Sequence, residues 1–296
     1  MTTTASIESG DPFAERQWRL AHGRALVLGP RAVIMGILNV TPDSFSDGGR
    51  HANVDQAVEH ALKMVSEGAA IIDIGGESTR PGAEPVNTSA EQDRVLPVIE
   101  ALSAQSDVLI SIDSRRAETA RLAIRAGAHI INDVEGLQHD LRMVDAVSVS
   151  GAGLVAMHTG RDRERLADPL ADQRFFLNKA IRLAAEAGVG KDRLVLDPGF
   201  GFAKTPVDNL ALMARFDELH ALGHPLLVGT SRKRFLGQIT GRAANERDMA
   251  TVASSVILRQ AGAAIVRVHH VAAHADALDV CDAMRQPSLF DLSGEA

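Results

Sequence analysis

Cysteine is almost missing from this chain: Cys281 stands alone. One thiol excludes an intramolecular disulfide framework and a cysteine-based metal cage, and it suits a reducing compartment. Cys281 lies in a stretch rich in Ala, Leu and Val, where a buried inert thiol is the expected state. Tyrosine is absent, Trp18 is the single tryptophan, and aromatics make up 3% of the 296 residues. Ala, Val, Ile and Leu must therefore fill the core, as they do in parallel sheets buried on both faces. There is no basic excess either. A net charge of −7 argues against a nucleic-acid binder while leaving room for a local cationic pocket. No apolar run approaches membrane-spanning length. The Thr/Ser-rich N-terminus has no basic segment followed by an apolar one, so it does not read as a signal peptide. The expectation is a cytoplasmic protein with neither membrane nor nucleic-acid partners.

What the sequence does contain is a repeat of strand and helix patterns. Residues 1–15 read as a disordered tail. Trp18-Arg19-Leu20 and Ala25–Leu28 then flank His22-Gly23 as a short hairpin. After Pro30, eight short apolar runs follow: Ala32–Leu38, Ala70–Ile74, Val108–Ile112, His129–Ile131, Leu154–Met157, Leu194–Leu196, Pro225–Val228 and Ile265–Val268. Between them lie helical stretches, among them Val54–Glu67, Glu91–Leu102, Ala117–Ala126, Phe175–Ala187, Val207–Ala221 and Asp248–Gln260. Alternating strands and helices imply parallel strands joined by right-handed crossovers. Eight such units within residues 16–286 predict one α/β domain, a single (β/α)8 TIM barrel with a short N-terminal hairpin extension. Residues 287–296 read as a flexible tail. The first strand turn lacks G-x-G-x-x-G, which argues against an open dinucleotide-binding sheet.

Polar residues gather where the strands end. The eight exits include Asn39, Gly75-Gly76-Glu77, Asp113-Ser114, Asn132-Asp133, His158, Asp197-Pro198-Gly199, Ser231-Arg232-Lys233 and His269. In a barrel these ends meet on one rim, where active sites of this fold lie. Asp113, Asp133, Asp197, Asn39 and Asn132 suit a polar ring with N–H donors, since a carboxylate accepts from two adjacent donors. Arg80, Arg232, Lys233, Arg267 and His269 suit a phosphate or carboxylate. A hard ion such as Mg2+ would bridge Asn39 and substrate phosphates. No serine occupies a nucleophile elbow, so the set reads as positioning and charge stabilisation rather than covalent catalysis.

These stretches resemble the dihydropteroate synthase family. Met35–Gly49 looks like its first signature loop and Asp73–Ala83 like its second. The likeness continues through Ser111–Ser114, Asn132-Asp133, Asp197–Phe202, Ser231–Lys233 and Arg267–His269. It implies a folate-pathway transferase that joins 6-hydroxymethyl-7,8-dihydropterin pyrophosphate to p-aminobenzoate. Pyrophosphate leaves ahead of attack, with Mg2+ as cofactor. By the same resemblance Asp113, Asn132, Asp197 and Lys233 hold the pterin, while Asn39, Arg267 and His269 hold the pyrophosphate, Asn39 also touching the metal. Thr79, Arg80, Pro81, Phe45, Phe202 and Ser231 shape the p-aminobenzoate pocket. Lys233, Arg267, Asp113 and Asp197 are the expected catalytic set. A homodimer through outer helices and sensitivity to sulfonamides are further implications.

Some residues have blander expectations. Lys204 reads as a solvated rim charge, and Arg161–Arg165 as a solvated loop face more charged than the family usually shows. His158 is expected to pack, and Asp133 to tie down backbone amides. His270 stands where the family commonly has Asp. Two other functions compete: a pterin-binding methyltransferase barrel, which would not need the Ser-Arg-Lys and Arg-Val-His set, and a non-catalytic paralogue, which would show a lost motif residue.

Overall fold

The computed structural model describes residues 10–41, 50–77 and 86–293. An antiparallel hairpin comes first, β1 (Arg16–Arg19) and β2 (Ala25–Leu28), with Arg16 opposite Leu28. Eight parallel strands follow: β3 (Val33–Asn39), β4 (Ile71–Gly75), β5 (Leu109–Asp113), β6 (Ile130–Asp133), β7 (Gly153–Met157), β8 (Leu194–Asp197), β9 (Leu227–Val228) and β10 (Ile265–Val268). Their order is β8-β7-β6-β5-β4-β3-β10-β9. A parallel bridge from Leu196 to Leu226 joins the two ends of that order and closes the ring. The expected barrel and hairpin are both present.

The helices are α1 (Arg50–Ser66), α2 (Thr88–Gln105), α3 (Ala117–Arg125), α4 (Arg142–Ser150), α5 (Pro169–Glu186), α6 (Pro206–Ala214), α7 (Arg234–Thr240), α8 (Asp248–Gln260) and α9 (Val271–Arg285). Their starts are chemically marked. Asn87 accepts from the Ala90 N–H, Asp168 accepts from Leu170 and Ala171 ahead of Pro169, and Thr205 forms a capping box with Asp208 ahead of Pro206. The stretch Val207–Ala221, expected as one helix, breaks after Ala214 into the tighter 3-10 turn Phe216–Leu222.

Strand side chains alternate between two cores. Ile34, Leu38, Ile72, Ile74, Ile110, Ile112, Leu194, Leu196 and Val266 face outward into the helical shell. Val33, Met35, Ile71, Leu109, Ile130, Val155, Val195, Leu227 and Ile265 face inward and pack with Trp18, Leu20 and Leu28 of the hairpin. The hairpin is thus the barrel's floor. Trp18 is 2% exposed and its indole N–H donates to the Arg193 carbonyl at 3.0 Å. Gly153 permits this approach, since a Cβ there would meet the Trp18 ring at 3.1 Å.

Both ends of the described chain are packed further than the tails expected at 1–15 and 287–296. The Phe13 ring lies 4.2 Å from the Arg285 guanidinium and 5.0 Å from that of Arg259. Arg259 is wholly buried and donates to Asp282 at 2.6 Å and to the Gly29 and Pro30 carbonyls. At the other end Pro287–Leu289 forms a 3-10 turn, and Arg31 lies over the Phe290 ring at 4.4 Å. Aromatic faces shielding cations anchor both segments. Among the described residues no helix is long and apolar enough to cross a membrane.

Candidate active site

The alternation that builds the floor also builds the site. Two residues beyond each inward apolar residue, the same face of the strand meets the upper barrel. Ile71 is followed on that face by Asp73, Leu109 by Ser111 and Asp113, Ile130 by Asn132, Val195 by Asp197, and Ile265 by Arg267. Strand register sets Asn39 beside Gly75, Gly75 beside Asp113, and Asp113 beside Asn132. A polar tier therefore sits directly above an apolar one.

Asp73 is at its centre. It is fully buried, and its Oδ2 accepts from Arg267 Nε at 2.6 Å and from Asn132 Nδ2 at 3.1 Å. Arg267 also donates through Nη2 to Asp113 Oδ2 at 2.7 Å. One guanidinium thus bridges two carboxylates. Burial raises Asp113 to about 7, Arg267 opposes that rise, and the Asp73 charge adds to it. In the sequence Asp73 opens the second family-like stretch without a role of its own. The signal was a carboxylate inside the apolar run Ile71-Ile72-Asp73-Ile74, on inward parity.

Asp197 faces this group from β8. Its Oδ1 accepts from the Gly199 N–H at 2.7 Å. Burial raises its pKa to about 6, against that hydrogen bond and the Lys233 and Arg267 charges. The Lys233 ammonium lies 4.1 Å from the Phe202 ring centroid. Burial and Arg267 lower its pKa to about 8, against the pull of Asp197 and Asp113. Phe202 packs with Val134 and Met157 as a small apolar wall. Ser231, 7% exposed, shares a 2.8 Å hydrogen bond with His269 Nδ1 and accepts from the His269 N–H. Of the expected site residues, Asp113, Asn132, Asp197, Lys233 and Arg267 come together through these contacts and mutual electrostatics; Ser231 and His269 form a pair, and Asn39 borders the tier at the end of β3. Thr79, Arg80, Pro81 and Phe45 lie outside the described residues.

Several expectations change. Lys204 is not a solvated rim charge: its Nζ donates to the Gly199 carbonyl and lies 2.8 Å from His158 Nδ1. Nor is Arg161–Arg165 a wholly solvated face. Arg163 makes a two-pronged ion pair with Asp172 at 2.6 and 2.9 Å, and Arg161 covers the Phe202 ring at 4.8 Å. Arg232, expected among the anion-binding cations, pairs with Asp248 at 2.8 and 3.0 Å. His270 also turns toward Asp248, at 3.6 Å. Asp133 does tie down backbone: it accepts from the Glu135 and Leu137 N–H groups.

Buried polar atoms left without protein partners mark where a ligand belongs. Among the described residues such atoms occur at several scattered places, but three of them, Asp73 Oδ1, Ser111 Oγ and Asn132 Oδ1, lie together on the inward tier. Two acceptors and a hydroxyl, flanked by Asp113, Asp197 and Lys233, offer complementary groups to a planar ring bearing both donors and acceptors.

Fold and rim together define a (β/α)8 barrel enzyme whose strand ends gather a buried polar tier of carboxylates, an amide and two cations. The sequence pattern of the family described as pterin binding enzyme matches residues 35–269. The dihydropteroate synthase of Bacillus subtilis is 45% identical over 260 residues, covering 88% of this chain and 91% of that one. A Xanthomonas albilineans dihydropteroate synthase solved with 4-aminobenzoic acid superposes with a TM-score of 0.86 at 45% identity, covering 91% of this chain and 99% of the other. The same organism's enzyme in complex with 7,8-dihydropteroate gives 0.82 at 43% identity, with 90% and 99% covered. The chain belongs to the pterin-binding enzymes and, among them, to the dihydropteroate synthase family.

Proposed function

We propose that this enzyme condenses 6-hydroxymethyl-7,8-dihydropterin pyrophosphate with p-aminobenzoate to give 7,8-dihydropteroate and pyrophosphate. The observation that carries this reading is the inward polar tier of Asp73, Asp113, Asn132 and Asp197, bridged by Arg267 and faced by Lys233. Asp197 and Asn132 accept from and donate to the pterin edge, and Lys233 donates to a ring acceptor. The C–O bond to pyrophosphate breaks and its electron pair leaves with the phosphate oxygen. The ring cation so formed lies among the Asp113 and Asp197 carboxylates, which stabilise it electrostatically. The p-aminobenzoate amine then forms the new C–N bond and loses a proton. Arg267 uses Nε–H and one Nη2–H on carboxylates, so its Nη1 hydrogens and the second Nη2 hydrogen remain for the departing anion, together with His269. Phe202 and Ser231 contribute the p-aminobenzoate side, together with Thr79, Arg80 and Pro81.

Mg2+ is the proposed cofactor. Among the described residues no group of three or more His, Cys, Asp or Glu side chains forms a cage. A lone amide oxygen at Asn39 fits an ion held mostly by water and substrate phosphates, which is how Mg2+ is commonly bound. When bound there, it neutralises charge on the leaving group.

A homodimer is also proposed. Met249 and Ile257 of α8 and Val280 and Met284 of α9 are exposed apolar side chains on helices that pack together, and a second copy would cover them. The compartment proposed is the cytoplasm. The test of the site is turnover by Lys233→Met and Asp197→Asn. Each should lose about a hundredfold or more in kcat/KM with an unchanged circular dichroism spectrum. Near-normal turnover in both would overturn the assignment.

A further inference from the structure

A buried polar relay lies behind Asp197, outside the ring pocket. Asp172, at the start of α5, is 3% exposed, and His158, at the end of β7, is 1% exposed. His158 Nε2 is 2.9 Å from Asp172 Oδ2. His158 Nδ1 is 2.8 Å from Lys204 Nζ. Lys204 Nζ also donates to the Gly199 carbonyl at 2.8 Å. The Gly199 N–H, on the same residue, donates to Asp197 Oδ1 at 2.7 Å. The chain of contacts therefore runs Asp172, His158, Lys204, Gly199, Asp197 without a gap.

Hydrogen-bond logic orders it. As an ammonium Lys204 only donates, which makes His158 Nδ1 the acceptor and leaves Nε2, also 2.9 Å from Arg163 Nη2, to donate to Asp172. Burial lowers the His158 pKa to about 4, so the ring is neutral across the physiological range. Arg163 grips both oxygens of Asp172 and fixes the far end. Gln173 donates to the Pro198 carbonyl at 3.0 Å, supporting the same turn from α5. Gly199 has φ +63°, and a Cβ there would strike the His158 carbonyl, so the turn presses directly on the relay.

We propose that Lys204 is a positioning residue for the condensation: oriented by Asp172 and His158, it holds the Asp197–Gly199 turn so that the Asp197 carboxylate meets the pterin ring. This rests on the reading of Asp197 as a pterin acceptor. Lys204 touches no reacting atom in this scheme. It acts through Gly199, and Arg163 gives the apparently loose charged loop a part in the same support. The relay's short contacts reach the Asp197–Gly199 turn, while Lys204 meets the Phe202 carbonyl only at 3.4 Å, so loosening it weakens pterin binding first.

The test compares wild type with Lys204→Met, His158→Ala and His158→Gln. Lys204→Met should raise KM for the pterin pyrophosphate about tenfold while kcat and KM for p-aminobenzoate stay within about twofold. His158→Ala should reproduce that pattern. His158→Gln, whose amide oxygen accepts from Lys204 and whose NH2 donates to Asp172, should recover most of the affinity. Nitrogen NMR on histidine-labelled wild type should show His158 as the Nε2–H tautomer with a hydrogen-bonded Nδ1, and Lys204→Met should shift Nδ1 toward a free nitrogen. Unchanged kinetics with that spectral shift, equal loss for both substrates, or no spectral shift each overturns the proposal. Absence of turnover in wild type would instead count against the proposed reaction, and the spectral arm would still judge the relay.

Discussion

The two groups that face the pterin edge titrate unusually close together, and this sets a narrow working range. Burial raises Asp197 to about 6 and lowers Lys233 to about 8. Their ordinary values of 3.8 and 10.5 would leave activity flat from pH 5 to 9. Asp197 must be ionised to accept from the ring, and Lys233 must be protonated to donate. At pH 7 each is one unit from half-titration, so about nine-tenths of each is in the productive form. At pH 5 only about a tenth of Asp197 is ionised, and at pH 9 only about a tenth of Lys233 is protonated. The kcat/KM for the pterin substrate, which reports the free enzyme, should therefore fall about tenfold or more from pH 7 toward either limit. Asp113, raised to about 7, titrates in the same window and steepens the acid side beyond a single proton. Steady-state rates from pH 5 to 9 at fixed ionic strength give the profile. Asp197→Asn, measured on its residual activity, should lessen the acid slope by one proton. Lys233→Arg should carry the alkaline limb out of range. A profile flat from 5 to 9, or limbs that ignore both substitutions, would refute this reasoning.

Other outcomes follow from the same contacts. Arg267→Met leaves Asp73 and Asp113 buried without their shared cation, which should cost about 3–5 kcal/mol at pH 8.5 in urea unfolding. Asp113 already has a raised folded pKa, and losing Arg267 raises it further, so stability falls as pH rises through that value. The loss should accordingly be smaller at pH 6, and equal losses at both pH values would contradict the charge argument. Gly199→Ala forces a side chain onto a left-handed backbone and into the His158 carbonyl. It should cost at least about 2 kcal/mol and weaken pterin binding by calorimetry, and normal binding would contradict the pressed turn. Arg259→Met removes the 2.6 Å cation from Asp282, which is 1% exposed and keeps only the Ala32 N–H and the more distant Arg285, so the melting temperature should drop while turnover of the folded enzyme is kept. The double change Arg259→Met with Asp282→Leu should recover much of the drop, and no recovery would contradict a charge-pair cause.

The barrel is legible because each strand is a short apolar run stopped by polar residues, and because a branched-aliphatic composition without cysteine leaves few other cores. The rim is legible for the same reason: a strand's end is its place on the rim. What escapes reading depends on parity and on distance in the chain. Asp73 looks like part of an apolar strand until the inward alternation from Ile71 is followed. Lys204 and Arg163 look like loop charges, since most such charges are solvated. Only the meeting of β7, α5 and the turn after β8 buries them. Residues 10–15 are anchored by Phe13 under two arginines that lie more than two hundred residues onward, a contact no local pattern announces. The helices α4 and α7 are hard to read because α4 is rich in Val and Ser and α7 is only 7 residues with Gly237 at its middle, all weak helix formers.

The central claim is tested most directly by incubating the purified protein with Mg2+ and 6-hydroxymethyl-7,8-dihydropterin pyrophosphate, with and without p-aminobenzoate. Dihydropteroate is followed by chromatography and pyrophosphate release in parallel. Dihydropteroate formed only with p-aminobenzoate, in equal amount to the pyrophosphate released with it, is the predicted result. Tight pterin binding with no dihydropteroate formed would contradict the account.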